Sequence, residues 1–295
     1  MNITTIIITI MEEKKKKANE CRKSHAKINL FLDVIAKRSD KFHQIRTIFS
    51  EIDLFDSIDF FLTENKDIRI LCNKDFLSNE KNLIYQIAFF IQKKHNVNKG
   101  VEVVLNKNIP VSAGLGGGSS NGAQTILALQ KLWNLQMSDV EINNIASEFG
   151  SDINFFLTGG CALGEGRGEK ITPVDDMNFN NILLVNPGFA ISSKEAYEIV
   201  EIPEKENPDW KQLLKSKNKT LCFNSLEKKI CQKYPEIQNI ITHLKNNGAE
   251  NAILSGSGAT VIGFFKDHKN AKINSDHYTE KKYWNTITKT KRRTK

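Results

Sequence analysis

The chain lacks the marks of a disulfide scaffold and of a thiolate metal site. Its five cysteines, Cys21, Cys72, Cys161, Cys222 and Cys231, are odd in number, scattered, and never spaced Cys-x-x-Cys. That usage fits a reducing, cytoplasmic setting. The six histidines include no His-Glu-x-x-His, which excludes a zincin-type centre. No internal repeat is visible. The apolar segment at residues 3–11 falls far short of the roughly 20 residues that span a bilayer. Its lysines, Lys14 to Lys17, follow it rather than precede it, the reverse of a signal peptide. Residues 1–21 therefore read as an extension outside the fold, with Met11 as an alternative start.

Acidic residues are missing from one end. Residues 281–295 hold seven basic residues and no acidic ones, and supply nearly all of the net charge of +8. A basic tail can touch nucleic acid or anionic lipid. The commoner condition is a solvated, disordered end, and that is expected for residues 271–295, with no nucleic-acid or membrane partner. With 295 residues, 40% of them hydrophobic, and a mean hydropathy of −0.38, the composition is that of a soluble globular protein of up to two modest domains.

What is present is concentrated in residues 109–123, IPVSAGLGGGSSNGA, where Gly114, Gly116, Gly117 and Gly118 fall within five positions. Glycine admits close approach of the backbone to a bulky anion. The helix predicted at residues 119–135 starts directly afterwards, with Ser119 or Ser120 as its cap, and offers unpaired N–H groups and a positive dipole end. A phosphate chain suits such a site. It is not a Walker A loop, because no Gly-Lys-Ser/Thr closes it, nor a dinucleotide fingerprint, because Ser119 stands where the last glycine belongs. A glycine-rich turn without a ligand is the bland alternative.

Hydrophobic patterning predicts strands near residues 26–35, 57–62, 68–72, 100–105, 154–163, 170–174 and 182–185, and a strand–glycine turn–strand over 253–265. Helices are predicted over 82–95, 119–135, 138–149, 193–199 and 226–246. Strands and helices mix without regular βαβ alternation, which indicates α+β. The polar stretch 175–181 reads as a domain seam, separating an N-terminal domain (22–174) that holds the glycine loop from a C-terminal domain (175–270).

Three further segments stand in order with the glycine loop: Ala26-Lys27-Ile28-Asn29-Leu30, Gly150-Ser151-Asp152-Ile153-Asn154, and Ser255-Gly256-Ser257-Gly258. Together with Pro110–Ser120 they resemble the GHMP kinase superfamily, over about residues 22–265. The resemblance implies a two-domain fold, an N-terminal domain like ribosomal protein S5 domain 2 and a ferredoxin-like C-terminal domain. It also implies ATP as co-substrate, with Mg²⁺, and a small alcohol as acceptor. The AKINLFL opening and the GLGGGSSN loop point to the branch whose acceptor is a cytidine-diphosphate-linked methylerythritol. A monomer or weak homodimer is expected. Another alcohol, or a non-catalytic nucleotide-binding role, is the alternative.

Phosphoryl transfer needs the phosphates held, the charge neutralised and the hydroxyl deprotonated. The loop supplies the first through Pro110, Val111, Ser112, Ala113, Gly114, Leu115, Gly116, Gly117, Gly118, Ser119 and Ser120. Ser119 or Ser120 could also touch the metal. The resemblance implies Asp152 as general base, beyond the glycine end of a helix and before an apolar strand, with Lys27 beside it to keep it ionised and to stabilise transition-state charge. Asn82 and Lys107 match adenosine positions; a solvated turn charge is the alternative for Lys107. On the acceptor side, Phe42 and His43 match a base-reading tyrosine–histidine pair, and Asn29, Phe49, Ser193 and Tyr197 match other substrate positions alongside Asp152. Lys41 stands where the family has glycine, so the turn geometry is expected to differ. Gly164, Gly166 and Gly168 read as a structural hairpin.

Overall fold

The protein is described by a computed structural model covering residues 18–202, 204, 207 and 209–293. The expectations for residues 1–17, including the start at Met11, lie outside the described residues. In chain order come β1 (Glu20–Lys37), β2 (His43–Thr63), β3 (Ile68–Cys72), α1 (Leu83–Lys94) and β4 (Gly100–Asn106). The glycine loop leads into α2 (Gly117–Leu132), α3 (Asp139–Phe149) and α4 (Ile153–Thr158). Then follow β5 (Cys161–Glu165), β6 (Lys170–Pro173), β7 (Ile182–Asn186), α5 (Ser193–Glu198) and α6 (Asp209–Ser216). The chain continues through β8 (Phe223–Asn224), α7 (Glu227–Lys233), α8 (Pro235–Asn246), β9 (Ala249–Leu254), β10 (Val261–Phe265), α9 (His268–Glu280) and β11 (Trp284–Thr288).

Contacts divide the chain into two units. One unit takes the chain up to His25, Leu54–Ile109 and Gly117–Leu157; the other takes Ala26–Asp53, Pro110–Gly116 and everything from Thr158 onward. The long strands β1 and β2 each contribute to both.

In the first unit, β4 pairs in parallel with β3 and antiparallel with the second half of β2, from Ser57↔Asn106 to Thr63↔Gly100. Helix α1 buries Ile84, Ile87, Ala88 and Ile91, the spacing of one helical face. It packs on β3 and α2, and α3 packs on α2. Asn82 caps α1 by accepting from Ile84 N at 3.0 Å, and Ser138 caps α3 by accepting from Glu141 N at 3.2 Å. Each cap satisfies an N–H that the helix itself cannot.

In the second unit, the first half of β2 pairs with β5, β5 with β6, and β1 with β8. A separate antiparallel sheet runs β11-β7-β10-β9, with α8 and α9 packed on it. Its core joins Leu183, Val185, Val261 and Phe265 to Ile237, Ile241, Leu244 and Tyr278 of the helices.

Four expectations are corrected. The start of the predicted strand 154–163 is helix α4, and only from Cys161 does the chain become a strand; a short apolar run does not distinguish the two by periodicity. The single helix predicted over 226–246 is two, because Pro235 opens α8 and Tyr234 before it is extended, at φ −125° and ψ 79°, as a residue preceding proline prefers. The predicted extension ends earlier than residue 21, since β1 begins at Glu20. Finally, the described part of the predicted solvated tail, residues 271–293, is folded: it carries most of α9 and β11, which pairs with β7 from Trp284↔Asn186 to Thr288↔Ile182. Two of its cations are used internally. Lys291 meets Glu51 at 3.3 Å, and Arg293 donates to the carbonyls of Gly159 at 3.2 Å and Cys161 at 2.6 Å.

Candidate active site

Residues 110–116 of the glycine loop belong to the second unit, and the chain from Gly117 onward to the first. On the second unit's side, Gly114 and Gly116 take φ +75° and +67°, conformations that cost other residues dearly. A Cβ on Gly114 would lie 2.1 Å from the carbonyl oxygen of Ser255, and the Ser255 hydroxyl donates to Gly114 O at 3.1 Å. Two glycine turns, 110–116 and 255–258, are therefore in backbone contact. The second is pinned by Asn224, whose amide donates to the carbonyls of Leu254 and Gly256, each at 2.8 Å.

Lys27 belongs to the same cluster. Its backbone N–H donates to Leu115 O at 2.9 Å. Its ammonium donates to Asn29 Oδ1 at 2.7 Å and lies 5.2 Å from the Phe49 ring centre. Residues i and i+2 of a strand share a face, which is why Lys27 and Asn29 meet on β1. Asn29 donates in turn to Thr47, and Thr47 to the Phe31 carbonyl, at 2.8 and 2.7 Å. Lys27 is only 4% exposed, so this ammonium is held in place rather than sweeping through solvent. Gly256 leaves room for it: a Cβ there would stand 3.1 Å from Asn29 Oδ1 and 3.5 Å from Lys27 Nζ.

On the first unit's side, the loop runs into the first turn of α2 at Gly117, where the N–H groups have no helical acceptor. Beneath it lies a network that the sequence did not reveal. Lys107 forms a buried ion pair with Asp56. Asp56 also accepts from Asn108 N at 2.8 Å, Ile109 N at 2.9 Å and Asn121 Nδ2 at 3.0 Å. Asn121 donates to Ser24 at 2.8 Å, and Ser24 donates to Ser120 at 2.7 Å. Lys107 is thus not a solvated turn charge. It sits so close under the helix start that a Cβ on Gly117 would be 2.7 Å from its Nζ. Ser120 is buried and engaged, whereas Ser119 is partly exposed. Among the described residues, no group of three or more His, Cys, Asp or Glu could hold a metal.

Asp152 lies in the turn between Gly150, which ends α3, and α4, and is partly exposed. The element after it is a helix and not the predicted strand. Lys27 and Asp152 belong to different units.

The predicted acceptor residues other than Asp152 lie in the second unit. The His43 and Tyr197 rings stack with centroids 5.5 Å apart. Burial, aided by the charge of Lys37, pulls the His43 pKa below its ordinary value, which favours a neutral ring. The Ser193 and Ser257 hydroxyls lie 3.2 Å apart, which brings Ser193 to the 255–258 turn. Phe42 is 52% exposed. Lys41 takes φ +68°, so it keeps the left-handed conformation that glycine would adopt with ease.

A buried, hydrogen-bonded ammonium beside a glycine loop, on an α+β fold, is an arrangement suited to phosphoryl transfer to a small molecule. Residues 82–160 match the family model of the GHMP kinases N terminal domain, and residues 188–277 that of the GHMP kinases C terminal domain. The 4-diphosphocytidyl-2-C-methyl-D-erythritol kinase of Caldanaerobacter subterraneus subsp. tengcongensis is 40% identical over 263 residues, covering 83% of this chain and 88% of that protein. The Clostridium beijerinckii enzyme of the same name is 36% identical over 268 residues, covering 88% and 95%. A crystal structure of 4-(cytidine 5′-diphospho)-2C-methyl-D-erythritol kinase matches with a TM-score of 0.79 at 27% identity, covering 92% of this chain and all of that one. The chain belongs to the GHMP kinase family, in its 4-diphosphocytidyl-2-C-methyl-D-erythritol kinase branch.

Proposed function

We propose that the chain transfers the γ-phosphoryl group of ATP to the 2-hydroxyl of 4-diphosphocytidyl-2-C-methyl-D-erythritol, giving ADP and the 2-phosphate, in non-mevalonate isoprenoid precursor biosynthesis. The observation that carries the reading is Lys27, buried, hydrogen-bonded to Asn29 at 2.7 Å and tied through its backbone to the glycine loop.

Residues 110–120 hold the nucleotide phosphates with backbone N–H groups and the start of α2. The hydroxyl oxygen attacks the γ-phosphorus, its proton passes to Asp152, and the bond to the β-phosphate oxygen breaks. Lys27 stabilises the negative charge that builds on the phosphoryl oxygens. Mg²⁺, when bound with the nucleotide, would neutralise phosphate charge, and Ser119, partly exposed where Ser120 is buried and bonded, would be the serine to hold it. Asn82 and Lys107 act on the nucleoside side by fixing α1 and the loop's underside. His43 reads the cytosine edge as a neutral ring, with Tyr197 and Phe42 as apolar faces, and Asn29, Phe49 and Ser193 complete the acceptor side. No helix of the described residues is long and apolar enough to cross a membrane, and a cytoplasmic location is part of the proposal.

The test is an ADP-release assay with ATP and Mg²⁺, offering the cytidylated alcohol beside homoserine, mevalonate and galactose. Turnover confined to the cytidylated alcohol is expected. Turnover with a different alcohol would keep the chemistry and overturn the acceptor. ATP binding without turnover on any acceptor would overturn both.

A further inference from the structure

The hairpin joining β5 to β6 carries a cation that the reaction above leaves unused. Arg167 stands at its tip, and its guanidinium lies 4.7 Å from the centre of the Phe42 ring. Local bonds fix the shape of the tip. The Arg167 N–H donates to Glu169 Oε2 at 2.6 Å, Gly166 takes φ +74°, and Ile45 N on β2 donates to Gly166 O at 2.8 Å.

Stacking on a ring holds a guanidinium in one plane and leaves its N–H edge open. Among the described residues, that edge makes no hydrogen bond or ion pair. The nearby acids are bonded elsewhere: Asp40 by Arg38 at 2.9 Å, Glu165 by Arg46 at 3.1 Å, and Glu169 by the turn itself; of these, Asp40 also feels the charge of Arg167 without a bond to it. An oriented guanidinium with unspent donors is matched by a phosphate, which it can grip with two parallel bonds. Phe42 precedes His43, whose ring is stacked on Tyr197, and Lys37 adds positive field there.

We infer that Arg167 binds the diphosphate of the acceptor, and so makes the site select a cytidine diphosphate over an uncharged cytidine compound. This rests on the acceptor proposed above. The glycine loop serves the phosphates of ATP, so the acceptor's own diphosphate needs a separate partner, and Arg167 stands on the hairpin that meets β2, the strand that begins at His43.

The experiment titrates CDP and cytidine, separately, into the full-length protein with its nucleotide site saturated by a non-hydrolysable ATP analogue. Wild type, Arg167→Gln and Arg167→Lys are compared. Wild type is expected to bind CDP roughly 10- to 100-fold tighter than cytidine, the size of a charge-assisted contact. Arg167→Gln should shrink that ratio to about threefold or less while leaving cytidine affinity and the KM for ATP unchanged, and Arg167→Lys should fall between. In turnover, the KM for the acceptor should rise with little change in kcat. An unchanged CDP-to-cytidine ratio in Arg167→Gln would overturn the inference and leave the acceptor reading intact. Equal weakening of both ligands would also overturn it, marking Arg167 as a prop for Phe42 alone. Failure of the wild type to bind either ligand would overturn the acceptor reading and the inference with it.

Discussion

The ammonium of Lys27 and the side-chain oxygen of Asn29 are joined at 2.7 Å on one face of β1, both nearly out of solvent. A lysine side chain ordinarily samples many rotamers, and here that freedom has already been given up before any substrate arrives. Preorganised charge of this kind acts without reorganisation at the moment of reaction. Lys27→Ala should therefore lower kcat by roughly 100- to 1,000-fold. Asn29→Ala, which frees the ammonium without removing it, should cost roughly 10- to 100-fold. Lys27→Arg should not rescue, because a planar fork replaces a point charge. Steady-state ADP release for the three variants, with thermal unfolding as a control on folding, checks this. An Asn29→Ala enzyme of full kcat would remove the positioning role.

Gly114→Ala tests the contact between the two glycine turns. The added methyl would stand 2.1 Å from the Ser255 carbonyl oxygen, and the residue sits at φ +75°. Neither backbone can yield cheaply, since Ser255 is held by Thr260 O at 2.8 Å and by its own bond to Gly114 O. The expected outcome is loss of ATP affinity together with a lower Tm. Gly118, where an added methyl would meet nothing within 4 Å, is the matched control: Gly118→Ala should leave Tm nearly unchanged.

The Asp56–Lys107 pair should respond unequally to its two deletions. Asp56 receives Lys107, two backbone N–H groups and Asn121. Asp56→Ala strands all of these and should destabilise by about 3–5 kcal/mol. Lys107→Met leaves the carboxylate with three donors and should cost less, roughly 1–3 kcal/mol. Urea unfolding of the two variants gives the comparison. Equal costs would mean that the backbone donors contribute little.

The Asp56 network also shows where the sequence stops being informative. Ser24, Asp56, Lys107, Ser120 and Asn121 come from distant segments, and no local spacing ties them together. The glycine loop was legible because its chemistry is local: four glycines and a helix start stand side by side. The Lys27–Asn29 pair was legible in part, since strand periodicity puts i and i+2 together, but only the resemblance marked that strand. Helix α4 was misread because INFFLT is too short to show a period. The C-terminal end was misread because composition reports charge and not pairing; β11 is an edge strand that gains its structure from β7.

Lys41 offers a stabilising substitution. At φ +68° a lysine carries a strain of roughly 1–2 kcal/mol that glycine avoids. Glycine also makes the unfolded chain freer, which costs about 0.5–1 kcal/mol. Lys41→Gly should therefore stabilise by about 0.5–1 kcal/mol, whereas Lys41→Ala, which keeps a Cβ, should be near neutral. Thermal unfolding distinguishes them. An Ala variant as stable as the Gly variant would locate the effect in lost charge and not in the backbone.

Acid should loosen the second unit through His243. Its ring stacks on His277 with centroids 4.2 Å apart, and its pKa is lowered by burial first, then by His277 and Lys281. The folded state thus binds its proton less readily than the unfolded chain, for which the ordinary value is about 6.5. Where the unfolded state binds more protons, stability rises with pH. The contribution of His243 is therefore fully present above about pH 6.5 and is lost as pH falls through the lowered folded-state value. His43, shifted the same way by burial and Lys37, adds to the same window. Unfolding free energies measured from about pH 5 to pH 8 should climb on the acid side and level off near neutrality. His243→Gln, which has no proton to take up, should flatten that climb while leaving the plateau's shape unchanged. A climb as steep in the variant as in the wild type would assign the acid sensitivity to other groups.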